Sequence, residues 1–240
     1  MKPHQHPTFQ TKLWAIIPAA GSGSRFSKTE LKQYQLIDDK TVLEHTVDRL
    51  NGLPLDGYVL AIGQDDNIAQ TLPLKNRHKA HFCLGGKERA DSVLNALNHL
   101  LRFASEDDYV LVHDAARPCV SLPNLEALMT HCTAHDVHAI LATPVRDTLK
   151  RVQQQPKIEK TVDRSFLWQA QTPQMAKLGI LKRCIEYALM NQIPITDEAS
   201  ALEYMGETVD VVQGRSDNIK ITYSEDLQLA RLILNAQRQS

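Results

Sequence analysis

Short apolar runs along the chain alternate with segments whose apolar residues recur every three or four positions. The first run, residues 13–18 (Leu-Trp-Ala-Ile-Ile-Pro), is continuous, as in a parallel strand buried on both faces. Residues 41–50 read as a helix, and 59–62 and 80–84 as strands. After Gly85-Gly86, residues 89–101 place Val93, Leu94, Leu97 and Leu101 on one helical face. A buried strand at 109–112, a helix at 122–134 and a strand at 139–142 follow. Strand and helix in alternation predict a mostly parallel sheet with helices on both faces. Ligands in such sheets sit outside the carboxyl ends of strands. A glycine loop at Gly21 and Gly23, the Gly85-Gly86 pair and Asp114 all fall at such ends.

The rhythm breaks between residues 144 and 173. Two β-like pieces, 148–152 and 157–162, flank the polar turn Gln153-Gln154-Gln155-Pro156, which predicts a hairpin projecting from the sheet. The alternation resumes with a helix at 178–190, strands near 209–212 and 219–222, and a helix from about residue 224. Residues 1–12 are polar, lack an apolar signal core and read as a loose tail before a single domain over 13–240.

Composition narrows the function. The 240 residues carry 27 basic and 28 acidic side chains, a formal net charge of -1. That balance argues against a nucleic-acid or membrane-surface binder, yet leaves room for a local basic pocket. The four cysteines (Cys83, Cys119, Cys132 and Cys184) form no C-x-x-C pair. They read as reduced thiols of a cytoplasmic protein. No apolar run approaches the roughly 18 residues of a membrane helix.

The loop Ala19-Ala20-Gly21-Ser22-Gly23-Ser24-Arg25 offers backbone N–H groups and an Arg to anionic oxygens. Taken alone, a phosphate cradle and a plain strand-to-helix turn stand level. A Rossmann fingerprint would need a third glycine where Phe26 stands, and a Walker loop would need G-K-[ST]. Lys32 lies seven residues after Arg25, so both can reach one triphosphate, although taken alone Lys32 reads as a solvated surface lysine. Asp114, at a strand end, suits either a Mg²⁺ beside phosphates or a turn. Asp217, three residues before Lys220, poses the same choice. His131, His135 and His138 have no C-x-x-C partner and read as a solvated helix end rather than a zinc site.

In order, these motifs resemble one family. Pro18 to Arg25 followed by Lys32-Gln33-Tyr34 is similar to the signature loop of sugar-phosphate nucleotidyltransferases. Gly85-Gly86 with Arg89-Ala90-Asp91-Ser92-Val93 narrows the likeness to cytidylyltransferases. His113-Asp114-Ala115-Ala116-Arg117-Pro118, Pro144 to Thr148, Thr161 to Arg164, Gln171 to Gln174, Thr196 to Ser200 and Asp217 to Lys220 complete it. The set resembles the 2-C-methyl-D-erythritol 4-phosphate cytidylyltransferases of the non-mevalonate isoprenoid pathway. The resemblance implies an α/β, Rossmann-like nucleotidyltransferase fold whose mostly parallel mixed sheet is flanked by helices. It also implies a projecting β-arm at 144–173 that swaps across a homodimer, and CTP and 2-C-methyl-D-erythritol 4-phosphate as substrates.

By the same resemblance, Arg25, Lys32 and Lys220 are catalytic and hold the phosphates. Ala19, Ala20, Gly21, Gly23, Gly85, Gly86, Ser92 and Asp114 bind the nucleotide. Thr148, Arg164 and Thr172 bind the acceptor, with Asp217 on the substrate side. Asp114 and Asp217 stand near Mg²⁺, and Thr148 and Arg164 serve the neighbouring subunit. The chain departs from the family pattern at Leu31, where Pro is usual, at Phe26, where Met is usual, and at Lys87, where an acid often stands. A related enzyme for another acceptor, such as ribitol phosphate, would share the nucleotide half.

Overall fold

The computed structural model describes residues 11–21, 26, 31–153 and 156–239. Gly23 and Arg25 of the glycine loop, and most of the N-terminal tail, lie outside them. Strand β1 (Leu13–Pro18) is followed by a short ribbon, β2 (Leu36–Ile37) and β3 (Lys40–Thr41), and by helix α1 (Val42–Leu50). Next come β4 (Gly57–Ile62), β5 (Ala80–Leu84), α2 (Arg89–Leu100), β6 (Tyr109–Val112), α3 (Leu122–His135) and β7 (His138–Pro144). The hairpin β8 (Leu149–Val152) and β9 (Ile158–Val162) precedes β10 (Trp168–Lys177), α4 (Leu178–Met190) and α5 (Glu198–Tyr204). Strand β11 (Val209–Gln213) and α6 (Asp226–Arg238) close the chain.

Seven strands form one sheet in the order β11-β7-β10-β6-β1-β4-β5. Only β10 runs antiparallel to its neighbours, so the sheet is mixed but mostly parallel. Alternation along β1 assigns its side chains to two cores. Leu13, Ala15 and Ile17 join Leu43, Val47 and Leu50 of α1 and Leu125 and Leu128 of α3. Trp14 and Ile16 face Val93, Leu97 and Leu100 of α2 and Leu181 and Ile185 of α4. Helix α6 closes a third cluster over Ile37, Val42, Ala116 and Ile221.

Local chemistry starts the helices where the site needs them. Thr41 and Glu44 exchange backbone and side-chain hydrogen bonds as a capping box at α1. Asp197 accepts from the Ser200 N–H at 3.0 Å and so caps α5.

Two expectations need correction. The interruption at 144–173 is not all hairpin. Its last part is the start of β10, which inserts between β6 and β7, so the two-stranded projection is β8–β9. Residues 219–222 form no strand. They lie past β11, and the Ile221 N–H makes one backbone bond, to Ala116 O at 2.9 Å.

Candidate active site

A cavity of about 580 Å³ opens where β1, β5 and β6 end. Ala19, Ala20 and Gly21 form one wall, with Gly86 and Ser92 opposite. Lys32, Asp114 and Lys220 stand along the rest. The glycine pair is required by close approach. A Cβ on Gly85 would stand 2.3 Å from Ala20 Cβ, and one on Gly86 would stand 2.1 Å from Asp91 Cβ. The Gly86 N–H donates to Ser92 Oγ at 2.9 Å, and the Ser92 hydroxyl donates to Glu88 O, which fixes this wall on the first turn of α2. Gly85 sits directly behind it, its N–H on Ile62 O at 2.7 Å.

Asp114 is the electrostatic centre. It is 6% exposed, and Arg89 Nε donates to its Oδ1 at 2.9 Å. Lys220 Nζ stands 2.8 Å from its Oδ2, and Arg117 Nε 3.6 Å away. Burial alone would raise the carboxyl pKa. The cations outweigh it, Arg89 first, then Lys220 and Arg117, and hold the group well below the usual carboxylate range. Arg89 also grips Glu198 through two bonds, of 2.6 and 3.1 Å. Burial would lower the Arg89 pKa, but Glu198 and Asp114 raise it. Lys32 reaches the same cavity, its Nζ donating to Ile221 O at 3.2 Å.

Thr172 has a supporting place rather than one on the cavity wall. Its hydroxyl oxygen accepts from the Asp114 N–H at 3.1 Å. It also pairs with His113 Nδ1 at 3.0 Å, while His113 Nε2 pairs with Arg117 O. Because a carbonyl only accepts, Nε2 carries the proton and Nδ1 receives the Thr172 O–H. Burial, the largest influence, pushes His113 down to about 4, so the ring is neutral at pH 7.

The sign of the pH effect follows. His113 binds no proton in the fold between pH 6.5 and 4, whereas the unfolded chain does. Stability is therefore full above about pH 6.5. The share that His113 contributes falls by roughly 3 kcal/mol as pH drops toward 4. Chemical denaturation in metal-free buffer should show this slope. His113→Gln should make it shallower, leaving the part contributed by His81, His99 and His138, whose pKa values burial also lowers. An equal slope in both proteins would contradict the account.

The remaining expected residues lie elsewhere. Both carboxylate oxygens of Asp217 receive Arg215, with Nε and an Nη donating at 2.7–3.1 Å, and Asp217 is not on the cavity wall. Thr148 and Arg164 are exposed on the arm, Arg164 donating to Arg146 O, and neither lines this cavity. His131 pairs with Asp210 at 2.8 Å and packs on His135, and no group of three metal-ligating side chains occurs among the described residues. Sequence reasoning assigned no role to Arg89, Arg117 or Glu198. Arg89 carried a signal, because a cation opening a helix that faces Asp114 is the natural counter-charge. Among the described residues no helix is long and apolar enough to cross a membrane, and all four cysteines are free.

A mostly parallel α/β sheet with a small-residue turn, a glycine pair and a cation-bound Asp at its strand ends is the setting of a nucleotide-binding enzyme, and the likeness to known proteins makes it a nucleotidyltransferase. The family model described as IspD, 2-C-methyl-D-erythritol 4-phosphate cytidylyltransferase, matches residues 13–236. The protein of that name from Acinetobacter baylyi is 69% identical over 238 residues, spanning 99% of this chain and 100% of its own. That from Vibrio vulnificus (strain CMCP6) is 48% identical over 229 residues, 95% of this chain and 97% of its own. The solved Francisella tularensis structure of that name superposes with a TM-score of 0.80 at 36% identity, over 93% of this chain and 100% of its own. The chain belongs to the IspD family of 2-C-methyl-D-erythritol 4-phosphate cytidylyltransferases.

Proposed function

We infer that the protein transfers the cytidylyl group of CTP to 2-C-methyl-D-erythritol 4-phosphate, giving 4-diphosphocytidyl-2-C-methyl-D-erythritol and pyrophosphate for isoprenoid precursor synthesis. One observation carries this reading at the level of the site. Asp114, gripped by Arg89 and Lys220, shares a cavity with Lys32, the Ala19–Gly21 turn and the wall of Gly86 and Ser92. The backbone walls receive the cytidine. Arg25, Lys32 and Lys220 hold the phosphates as the acceptor phosphate oxygen attacks the α-phosphorus and pyrophosphate leaves. Charge gathers on phosphate oxygens in that step, so positioning and cationic stabilisation suffice and no covalent nucleophile is needed.

Nucleotidyltransferases generally use a divalent cation, and the donor set here suits Mg²⁺. Asp114 supplies one ionised carboxylate on the cavity wall, and Mg²⁺ commonly takes one or two carboxylates with phosphate oxygens. When bound, the cation neutralises triphosphate charge. Both carboxylates already meet cations, Asp114 with Arg89 and Lys220 and Asp217 with Arg215. Asp217 is the weaker candidate ligand because it does not line the cavity.

The exposed apolar residues of the arm, Phe166 at 92% and Ile158 at 65%, support a homodimer that exchanges arms. Thr148 and Arg164 then complete the acceptor site of the opposite subunit. The four free cysteines support a cytoplasmic setting.

Pyrophosphate release with CTP and a panel of sugar-alcohol phosphates tests the activity. Preference for ribitol 5-phosphate would overturn the acceptor assignment. On the nucleotide side, a wall of fixed backbone groups reads the cytosine amino group and excludes purines. UTP puts a carbonyl there and leaves an acceptor unpaired, a loss of about 1–3 kcal/mol. Its kcat/KM should fall about 5- to 150-fold below that for CTP. Equal turnover of the two would contradict the pocket.

A further inference from the structure

We propose that Glu198 is a positioning residue that fixes, through Arg89 and Asp114, where Lys220 stands in the transfer site; this rests on the role given to Lys220 above. Glu198 opens α5, is 2% exposed and places both carboxylate oxygens on Arg89. The third guanidinium nitrogen, Nε, donates to Asp114 Oδ1 at 2.9 Å. Asp114 Oδ2 then meets Lys220 Nζ at 2.8 Å. Four residues from four places in the fold thus alternate in charge and end on the lysine in the cavity.

The direction of influence is set by where each group sits. Glu198 does not line the large cavity. It lines a separate cavity of about 350 Å³, walled by Ile185, Leu189 and Ile195, with Arg89 between the two spaces. Glu198 therefore reaches the reacting groups only through Arg89. Arginine suits this place because its planar donors hold two carboxylates in fixed directions, which an ammonium cannot do. The anchor is itself held. The Ala199 N–H donates to Gln174 Oε1 at 2.8 Å, and Gln174 Nε2 donates to Asp197 Oδ2 at 2.9 Å, so β10 fixes the start of α5. Without Glu198, Arg89 keeps Asp114 as its one carboxylate, and nothing fixes the plane of the guanidinium. The Asp114 carboxylate then loses its orientation, and Lys220 with it.

The test is a double-mutant cycle read by steady-state kinetics. Glu198→Gln keeps the shape of the side chain and removes its charge. It should lower kcat about 10- to 100-fold, the loss expected for a charged hydrogen bond, and change the CTP KM less than about threefold. In a Lys220→Ala background the same substitution should cost less than about threefold in kcat, because its effect runs through the missing lysine. A general structural role would impose the same loss in both backgrounds, and that result overturns the proposal. Arg89→Lys is the second variant, serves if Glu198→Gln does not fold, and should show the same non-additivity. If it raises the CTP KM and spares kcat, Arg89 binds nucleotide directly and the proposal is overturned. Lys220→Ala alone separates the two claims. A near-normal kcat there overturns the role given to Lys220, and the relay with it. An impaired Lys220→Ala beside a near-normal Glu198→Gln overturns the relay alone.

Discussion

Lys32→Ala should lower kcat by about 10²- to 10³-fold while shifting the CTP KM far less, the loss expected when one donor to a charge developing in the transition state is removed. Lys32 begins a 3-10 turn, and the neighbouring Gln33 is 3% exposed and donates through Nε2 to Ala19 O at 2.9 Å. That bond ties the lysine segment to the small-residue wall of the cavity. Nζ is steadied from the other side by Ile221 O, whose own N–H rests on Ala116. The lysine is therefore placed before substrate arrives. Such a group costs little to reorganise during reaction, and so it contributes chiefly to kcat. Steady-state kinetics with saturating acceptor measures the split. A variant with near-normal kcat would make Lys32 a surface lysine with no part in the chemistry.

Much of the fold was legible because buried parallel strands are short, apolar and bounded by turn residues. Residues 13–18, 80–84 and 109–112 become β1, β5 and β6 with the expected limits, and 178–190 becomes α4. Strand β10 was not legible. Pro173 removes a ladder donor, and the polar Gln171-Thr172 stretch sits where the register with β7 shifts, between Ala170 and Gln174. Both features signal a turn, and only the neighbours β6 and β7 make this segment a strand. The reverse error arose at 219–222, where Ile219 and Ile221 alternate as in a strand. These side chains bury against α6 and the segment after β6 instead. In the site, Asp114 was visible from its position at a strand end. The Arg89–Glu198 pair was not, because the two lie 109 residues apart and only the packing of α2 and α5 against α4 brings them together. Local pattern carries no information about such a pair.

Arg164→Ala should raise the acceptor KM about 10- to 100-fold and leave CTP binding nearly unchanged, the cost of losing a charged contact to phosphate. Arg164 lies between β9 and β10, exposed and not among the residues lining its own cavity. The hairpin β8–β9 is not part of the seven-stranded sheet, and an isolated two-stranded hairpin is marginal in water. Its apolar residues, Val152 at 56% and Ile158 at 65% exposed, would find their cover on a second copy in the proposed two-fold dimer. In that arrangement the arm of one subunit delivers Arg164 to the other. Co-expression of an Arg164→Ala chain and a Lys32→Ala chain under different affinity tags isolates the mixed dimer. Each homodimer is defective. With sharing in trans, the mixed dimer holds one site with both residues intact and one with neither, so it should recover about half the wild-type activity. With Arg164 acting in its own subunit, each site of the mixed dimer keeps one defect, and activity stays at the level of the two homodimers. That second result would place Arg164 in cis and remove the arm from the acceptor site of the partner.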